Sequence, residues 1–209
     1  MSDAASSPLR SWQLDPRRAI RRFFASWRPW HYGLLVALHW QIFATSKAGH
    51  NDWFMFCYPW ADAVRLSIAK YHEFPWWNPW TVSGEPLFAD PQIAVLMPDT
   101  LFVLAFGSVV GLKLLLLFYV IVGYEGTRFL CRELFGRSRF VEGVSVIPIL
   151  LPSLALHFNE GHLVFFVFYL FPWLLAFALT WQRSVERSLA LGVVIGLYLL
   201  SDIHYTIIM

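Results

Sequence analysis

The side chains best suited to chemistry in this chain fall in three short strings. Asp52 follows Gly49-His50-Asn51. His157, Glu160 and His162 lie within six residues of one another. Asp202 and His204 sit two apart inside an apolar run. Carboxylates and imidazoles are the groups that move protons, hydrogen-bond substrates and hold metal ions. The spacing argues against a metal. His157 and His162 are five apart and Glu160 and His162 two apart, which is poor spacing for two ligands on one helical face, so no metal site is predicted. Contact with a substrate is the better reading for Glu160 and His162, beside ordinary solvation of a helix end. Asp52 is either a functional acid or the cap of a helix over 53–60. Asp62 is the second candidate acid, with Arg65 three residues on as a structural partner. Asp202 and His204 are costly inside an apolar run and face a cavity or partner unless the helix ends there. Lys113 snorkels to an interface or, with Lys70 and Arg65, binds phosphate. The sequence has no P-loop, no Ser–His–Asp order, no zinc signature and no nucleic-acid module.

The elements that must position these groups are set by composition. Of 209 residues 57% are hydrophobic and 14% charged, against about 25% charged in a soluble domain. That excludes a disordered chain, a coiled coil and a disulfide scaffold, and it points to an all-α integral membrane protein. Crossing about 30 Å of hydrocarbon takes about 20 apolar residues. Five spans are predicted, at about 30–45, 109–130, 141–156, 162–181 and 189–208. The first could instead be a signal peptide, since a basic region precedes it and Ser46-Lys47-Ala48 follows. An uncleaved helix is preferred because His31, His39 and Gln41 interrupt the core. The apolar but short stretch 92–106 is expected to be interfacial or re-entrant. Met209 falls inside an apolar stretch with no polar tail, as expected of a fragment of a longer protein.

Charge predicts the orientation. Arg10, Arg17, Arg18, Arg21, Arg22 and Arg28 precede the first span. With a cytoplasmic N-terminus (residues 1–29), Arg128, Arg132, Arg137 and Arg139 also fall inside, as do Arg183 and Arg187. The expected location is the cytoplasmic membrane, with the transmembrane domain over 30–209. The outer side collects six acids over 47–99, Asp52, Asp62, Glu73, Glu85, Asp90 and Asp99, against Lys47, Arg65 and Lys70. It also receives the outer ends of spans three and five. Cys57 and Cys131 fall on opposite sides, so no disulfide is predicted. The strings 107–111 and 192–196, each bounded by glycines, suggest close helix packing.

The first outer loop, about 47–108, is punctuated by Pro and Gly and should be ordered turns and short helices. Over 60–71 the apolar Ala61, Val64, Ile68 and Tyr71 recur at helical spacing. The string Asp52…Tyr58-Pro59-Trp60…Phe74-Pro75…Trp77-Asn78-Pro79…Gly84…Pro86-Leu87…Ala89…Pro91-Gln92…Pro98 resembles the first outer loop of YfhO-like bacterial membrane proteins, within the GT-C class of multi-pass glycosyltransferases. Glu160-Gly161-His162 and Asp202…His204 resemble that family's later outer segments. Glu85 and Met97 depart from the pattern, where a small residue or Gly and a Tyr would be expected.

The resemblance implies a GT-C-like fold and transfer of a sugar from a polyprenyl-phosphate carrier to an acceptor outside the membrane, a cell-envelope polymer, lipid or protein. It also implies that Asp52 is the base. Glu160, His162, His204, Asp202, Lys113, Asn78 and Gln92 are the candidate substrate contacts, although Asn78 and Gln92 could instead fold the loop. Some members of the class use a divalent metal and others do not, so the cofactor stays open. The expected partners are the bilayer, the lipid-linked sugar and the acceptor, with no nucleic acid. A transporter or flippase for a lipid-linked substrate is the alternative, and a non-catalytic membrane partner a third.

Overall fold

The computed structural model describes residues 26–44, 52–81, 83–90, 92–93, 95–150 and 152–201. They are mostly helical. Helix α1, Arg28–Leu38, starts on Pro29, whose missing N–H costs nothing at a helix start. It stops at His39, whose Nδ1–H donates to the Leu35 carbonyl at 2.8 Å. The chain resumes as α2, Trp40–Ala44. The first predicted span is therefore two helical pieces over its described part.

A continuous helical stretch follows in the predicted outer loop, called the outer loop below. It consists of a π-helical turn, Trp53–Cys57, then α3, Tyr58–Arg65, then a second π-helical turn, Leu66–Lys70. Its buried face is Trp53, Cys57, Tyr58, Ala63, Val64 and Ser67. Tyr71, expected on that face, is exposed and stacks on Trp80. Asp62 and Arg65 are both exposed, and no ion pair joins them. A solvent-exposed pair is worth too little to hold two long side chains in one geometry. Strands β1, Trp77–Asn78, and β2, Glu85–Pro86, pair antiparallel.

Helix α4, Pro98–Phe106, has nine residues and rises about 14 Å, too short to cross a bilayer. It folds back through Gly107 (φ 80°) onto α5, Ser108–Phe135. Gly111 lets the two helices touch, since a Cβ there would lie 2.5 Å from the Phe102 carbonyl oxygen. The string at 107–111 thus packs as predicted. Gly192 and Gly196 face open space among the described residues, so the second string does not. Gly123 and Gly126, which the sequence reading passed over, carry the equivalent contact on α5, against Tyr169 and Trp173.

Two described helices are long and apolar enough to cross a membrane, Ser108–Phe135 and Leu163–Arg183. They match predicted spans two and four. The second comprises a 3₁₀ turn, Leu163–Leu170, then α8, Phe171–Thr180, then a short 3₁₀ turn. Predicted span three is not a single helix. It is α6, Arg139–Val144, a 3₁₀ turn, Ile147–Leu150, and α7, Pro152–Glu160. Pro148 and Pro152 lack the N–H that an unbroken helix would need there. Predicted span five is described as α9, Val185–Ser201, and residues 202–209 lie outside the described set.

One core joins these pieces. Leu115, Leu116, Tyr119, Val120 and Tyr124 of α5 pack with Leu35, Trp53, Phe158, Phe166 and Tyr169. Large apolar side chains also remain outside. Leu189, Val193 and Leu200 form an exposed stripe at helical spacing on α9. Apolar area in contiguous exposure marks a surface that meets protein or lipid.

Candidate functional site

The site is built where the outer-loop helix meets the turn after α7. Gly161 ends that helix at φ 88°. Its carbonyl accepts from Cys57 Sγ at 3.0 Å. One residue pair earlier, Trp53 Nε1 donates to the Phe158 carbonyl. A Cβ on Gly161 would lie 2.5 Å from the Trp53 backbone nitrogen and 3.0 Å from the Asp52 carbonyl carbon. The two backbones therefore touch, and only glycine permits it.

This docking brings Asp52 to His162. Their Oδ2 and Nε2 atoms are 3.5 Å apart, and each side chain is about 40% exposed (38% and 40%). The distance is long for a hydrogen bond and short enough for a charge contact. Asp52 makes no side-chain cap to the helix that follows it, so the capping reading of this residue is set aside. Its carboxylate points at a histidine from a segment 110 residues away.

His162 in turn meets His157, Nδ1 to Nδ1, at 3.0 Å. His157 stacks on Phe165 at 3.7 Å between ring centroids. Burial, then the neighbouring His162, holds His157 below the ordinary imidazole range. One tautomer order serves both contacts. His157 Nδ1–H donates to His162 Nδ1, and His162 then presents Nε2–H to Asp52. An acid, an imidazole and a second imidazole thus form a row that opens to solvent at Asp52. Glu160, half-buried, sits two residues before His162. Among the described residues no group of three His, Cys, Asp or Glu is arranged to hold a metal ion.

A separate cavity of about 60 Å³, which no residue of the row lines, is walled in part by Cys57 and Leu163. Cys57, Gln92, Asp99, Tyr119 and Ser201 supply its polar wall. Tyr119 Oη donates to Asp99 Oδ1 at 3.3 Å. Burial pushes the Asp99 carboxyl up to about 6. The sign is that of an acid whose charged form is disfavoured in the fold. At neutral pH the ionised Asp99 destabilises the protein, and stability is recovered as the pH falls through about 6 towards its unfolded value. Asp99→Asn is therefore expected to raise thermal stability at pH 7.5 by on the order of 1–3 kcal/mol. The gain should shrink to about 1 kcal/mol near pH 4.5 and vanish only below the unfolded value of 3.8 in the same melting experiment. Neither Asp99 nor Tyr119 stood out in the sequence; the available signal was an acid in the first turn after Pro98.

The other predicted contacts distribute differently. Asn78 is buried, and its amide is spent inside the loop. Nδ2 donates to Glu85 Oε1 at 2.8 Å, and Oδ1 accepts from the Trp80 N–H at 3.0 Å. Trp60 Nε1 donates to the same Glu85 oxygen at 3.1 Å. Glu85, the residue that departs from the family string, is thus the loop's central acceptor. Asn78→Ala is expected to destabilise the loop by about 1–3 kcal/mol, because it removes one of the two donors to the Glu85 oxygen and the acceptor of the Trp80 N–H. Limited proteolysis within 72–90 would read that change. Gln92 is exposed at the cavity mouth. Lys113 is 7% exposed and enclosed by protein, which does not fit snorkelling. Asp202 and His204 lie outside the described residues. Cys57 and Cys131 are free thiols.

At another level of the molecule the arginines gather. Arg28 and Arg128 both bind Glu125 Oε2, at 2.6 and 2.7 Å, and Tyr32 donates to Glu125 Oε1 at 2.6 Å. Arg128 and Arg132 share Glu142. Arg183 and Arg187 share Glu133. Helix α1 relates the two levels. Arg28 at its start pairs with Glu125, and His39 just past its end packs on Phe158. Its 11 residues rise about 16 Å.

Fold and site together define a mostly helical protein, with two helices fit to cross a membrane and an Asp–His–His row docked beside them. Comparisons with family models, curated proteins and solved structures found no match to this chain.

Proposed function

We propose that the chain is a multi-pass membrane glycosyltransferase of the GT-C class, lying in the cytoplasmic membrane with its N-terminus inside. The outer loop would face a polyprenyl-phosphate-linked sugar and an extracytoplasmic acceptor. The observation that carries the reading is the meeting of Asp52 and His162. These residues belong to two separate strings that resemble the same family, and the contact joins the two strings. The exposed stripe on α9 and the two long apolar helices support the membrane setting.

In the proposed reaction the acceptor hydroxyl attacks the anomeric carbon. The new C–O bond forms as the bond from that carbon to the carrier phosphate breaks, and the phosphate leaves with the electron pair. Asp52 takes the hydroxyl proton. His162 orients the carboxylate, and a single displacement inverts the sugar carbon. Cationic groups to hold the leaving phosphate would come from the exposed bases of the loop, Arg65 and Lys70.

A transporter or flippase is the second reading, favoured by one observation. The predicted third span is broken into three helical pieces, and discontinuous helices line transporter sites. The test is to supply labelled polyprenyl-phosphate sugar to membranes carrying the full-length protein. A covalent glycosylated product supports transfer. Relocation of the intact lipid-linked sugar without product supports flipping and overturns the enzyme.

A further inference from the structure

The arginine level holds a second concavity, unrelated to the Asp–His–His row. It has a volume of about 510 Å³ and is walled by Trp27, Trp30, Arg132, Arg137, Arg139 and Glu142. That size suits a small-molecule group. Its charge is unbalanced. Arg28, Arg128 and Arg132 share two carboxylates, Glu125 and Glu142, both already engaged by more than one partner. Arg137 and Arg139 are exposed, and among the described residues neither pairs with a carboxylate. The wall itself carries Arg132, Arg137 and Arg139 against Glu142, a surplus of two positive charges around one opening.

Two features choose the ligand. Guanidinium forks match phosphate oxygens in pairs, so the anion is a phosphate. The rim carries Trp27 and Trp30, 47% and 73% exposed. Exposed tryptophans beside a basic pocket are the composition of a headgroup-level belt. The phosphate should therefore arrive attached to acyl chains that run along the apolar surface. Basic pockets between membrane helices hold anionic lipid headgroups by the same physics.

We propose that this cleft binds the headgroup phosphate of an anionic phospholipid. The inference rests on the membrane reading but not on sugar transfer. Arg132 is anchored by Glu142 and forms the fixed wall. Arg137 and Arg139, which line the cleft with no carboxylate partner among the described residues, engage the phosphate. Ser138 between them caps α6, its Oγ accepting from the Val141 N–H at 3.1 Å, which holds the two arginines in place.

Native mass spectrometry of the full-length protein in detergent tests this, with phosphatidylglycerol and phosphatidylcholine added in equal amounts. Retained phosphatidylglycerol adducts are expected on the wild type, with about tenfold lower occupancy in R137Q/R139Q. Arg183→Gln, at an arginine that pairs with Glu133 and does not line the cleft, should leave occupancy unchanged. Each arginine is also replaced singly, so that a double variant that fails to fold does not decide the matter. Equal adducts of both lipids, wild-type occupancy in the arginine variants, or displacement of the lipid by millimolar inorganic phosphate would overturn the proposal. Sugar transfer is assayed on the same preparations. Its failure with lipid selectivity intact counts against the enzyme alone, and the reverse against the cleft alone.

Discussion

Asp52→Asn is expected to lower sugar transfer by 10²–10⁴-fold in membranes that hold normal amounts of the full-length protein. That range is what a positioned general base contributes. The substitution keeps the size of the side chain and removes the charge and the proton acceptor. It should leave the fold intact, because the carboxylate caps no helix and is partly exposed. Thermal stability should thus move by less than about 0.5 kcal/mol. His162→Gln, which retains a donor near the Nε2 position, should cost less, on the order of tenfold. The two changes should be strongly non-additive, since both act through one carboxylate. Wild-type turnover in Asp52→Asn at normal expression would remove Asp52 as the base, and Asp62 would not inherit the role. Its side chain is exposed on α3, away from the buried face that docks at Gly161.

The residues of this site were legible one by one, but their meeting was not. Asp52 and His162 could be named from residue type and from the strings around them. That they touch depends on Gly161 admitting the Trp53 backbone, a contact between segments more than 100 residues apart that no local pattern encodes. Helix content was readable from apolar runs, and the two most apolar runs are the two long helices. The third run failed as a span because hydropathy counts side chains, whereas Pro148 and Pro152 act through missing backbone donors. The Asp62–Arg65 pair failed for a different reason. Spacing shows that two groups can reach each other, not that water would yield them. Asn78 and Glu85 show the limit of a family likeness. The glutamate that looked like a departure accepts from both Asn78 and Trp60, so the substitution carries its own local compensation.

Gly161→Ala is expected to lose both stability, by about 2–4 kcal/mol, and at least 10²-fold in transfer. Two terms add. An alanine at φ 88° is strained by roughly 1–2 kcal/mol, and its methyl would stand 2.5 Å from the Trp53 nitrogen. That neighbour is backbone, so relief requires the outer-loop helix to move away from the turn. Such a shift carries Asp52 off His162, and a displacement of about 1 Å at reacting groups is enough for a hundredfold loss. Gly136→Ala separates the terms. Gly136 also has positive φ, 77°, but a Cβ there meets open space. It should lose only the conformational part, about 1 kcal/mol, and keep full transfer. Thermal melts of both variants, with activity measured well below either transition, make the comparison. If Gly161→Ala behaves like Gly136→Ala in both measurements, the turn does not position Asp52, and the 3.5 Å contact owes nothing to the close approach of the two backbones.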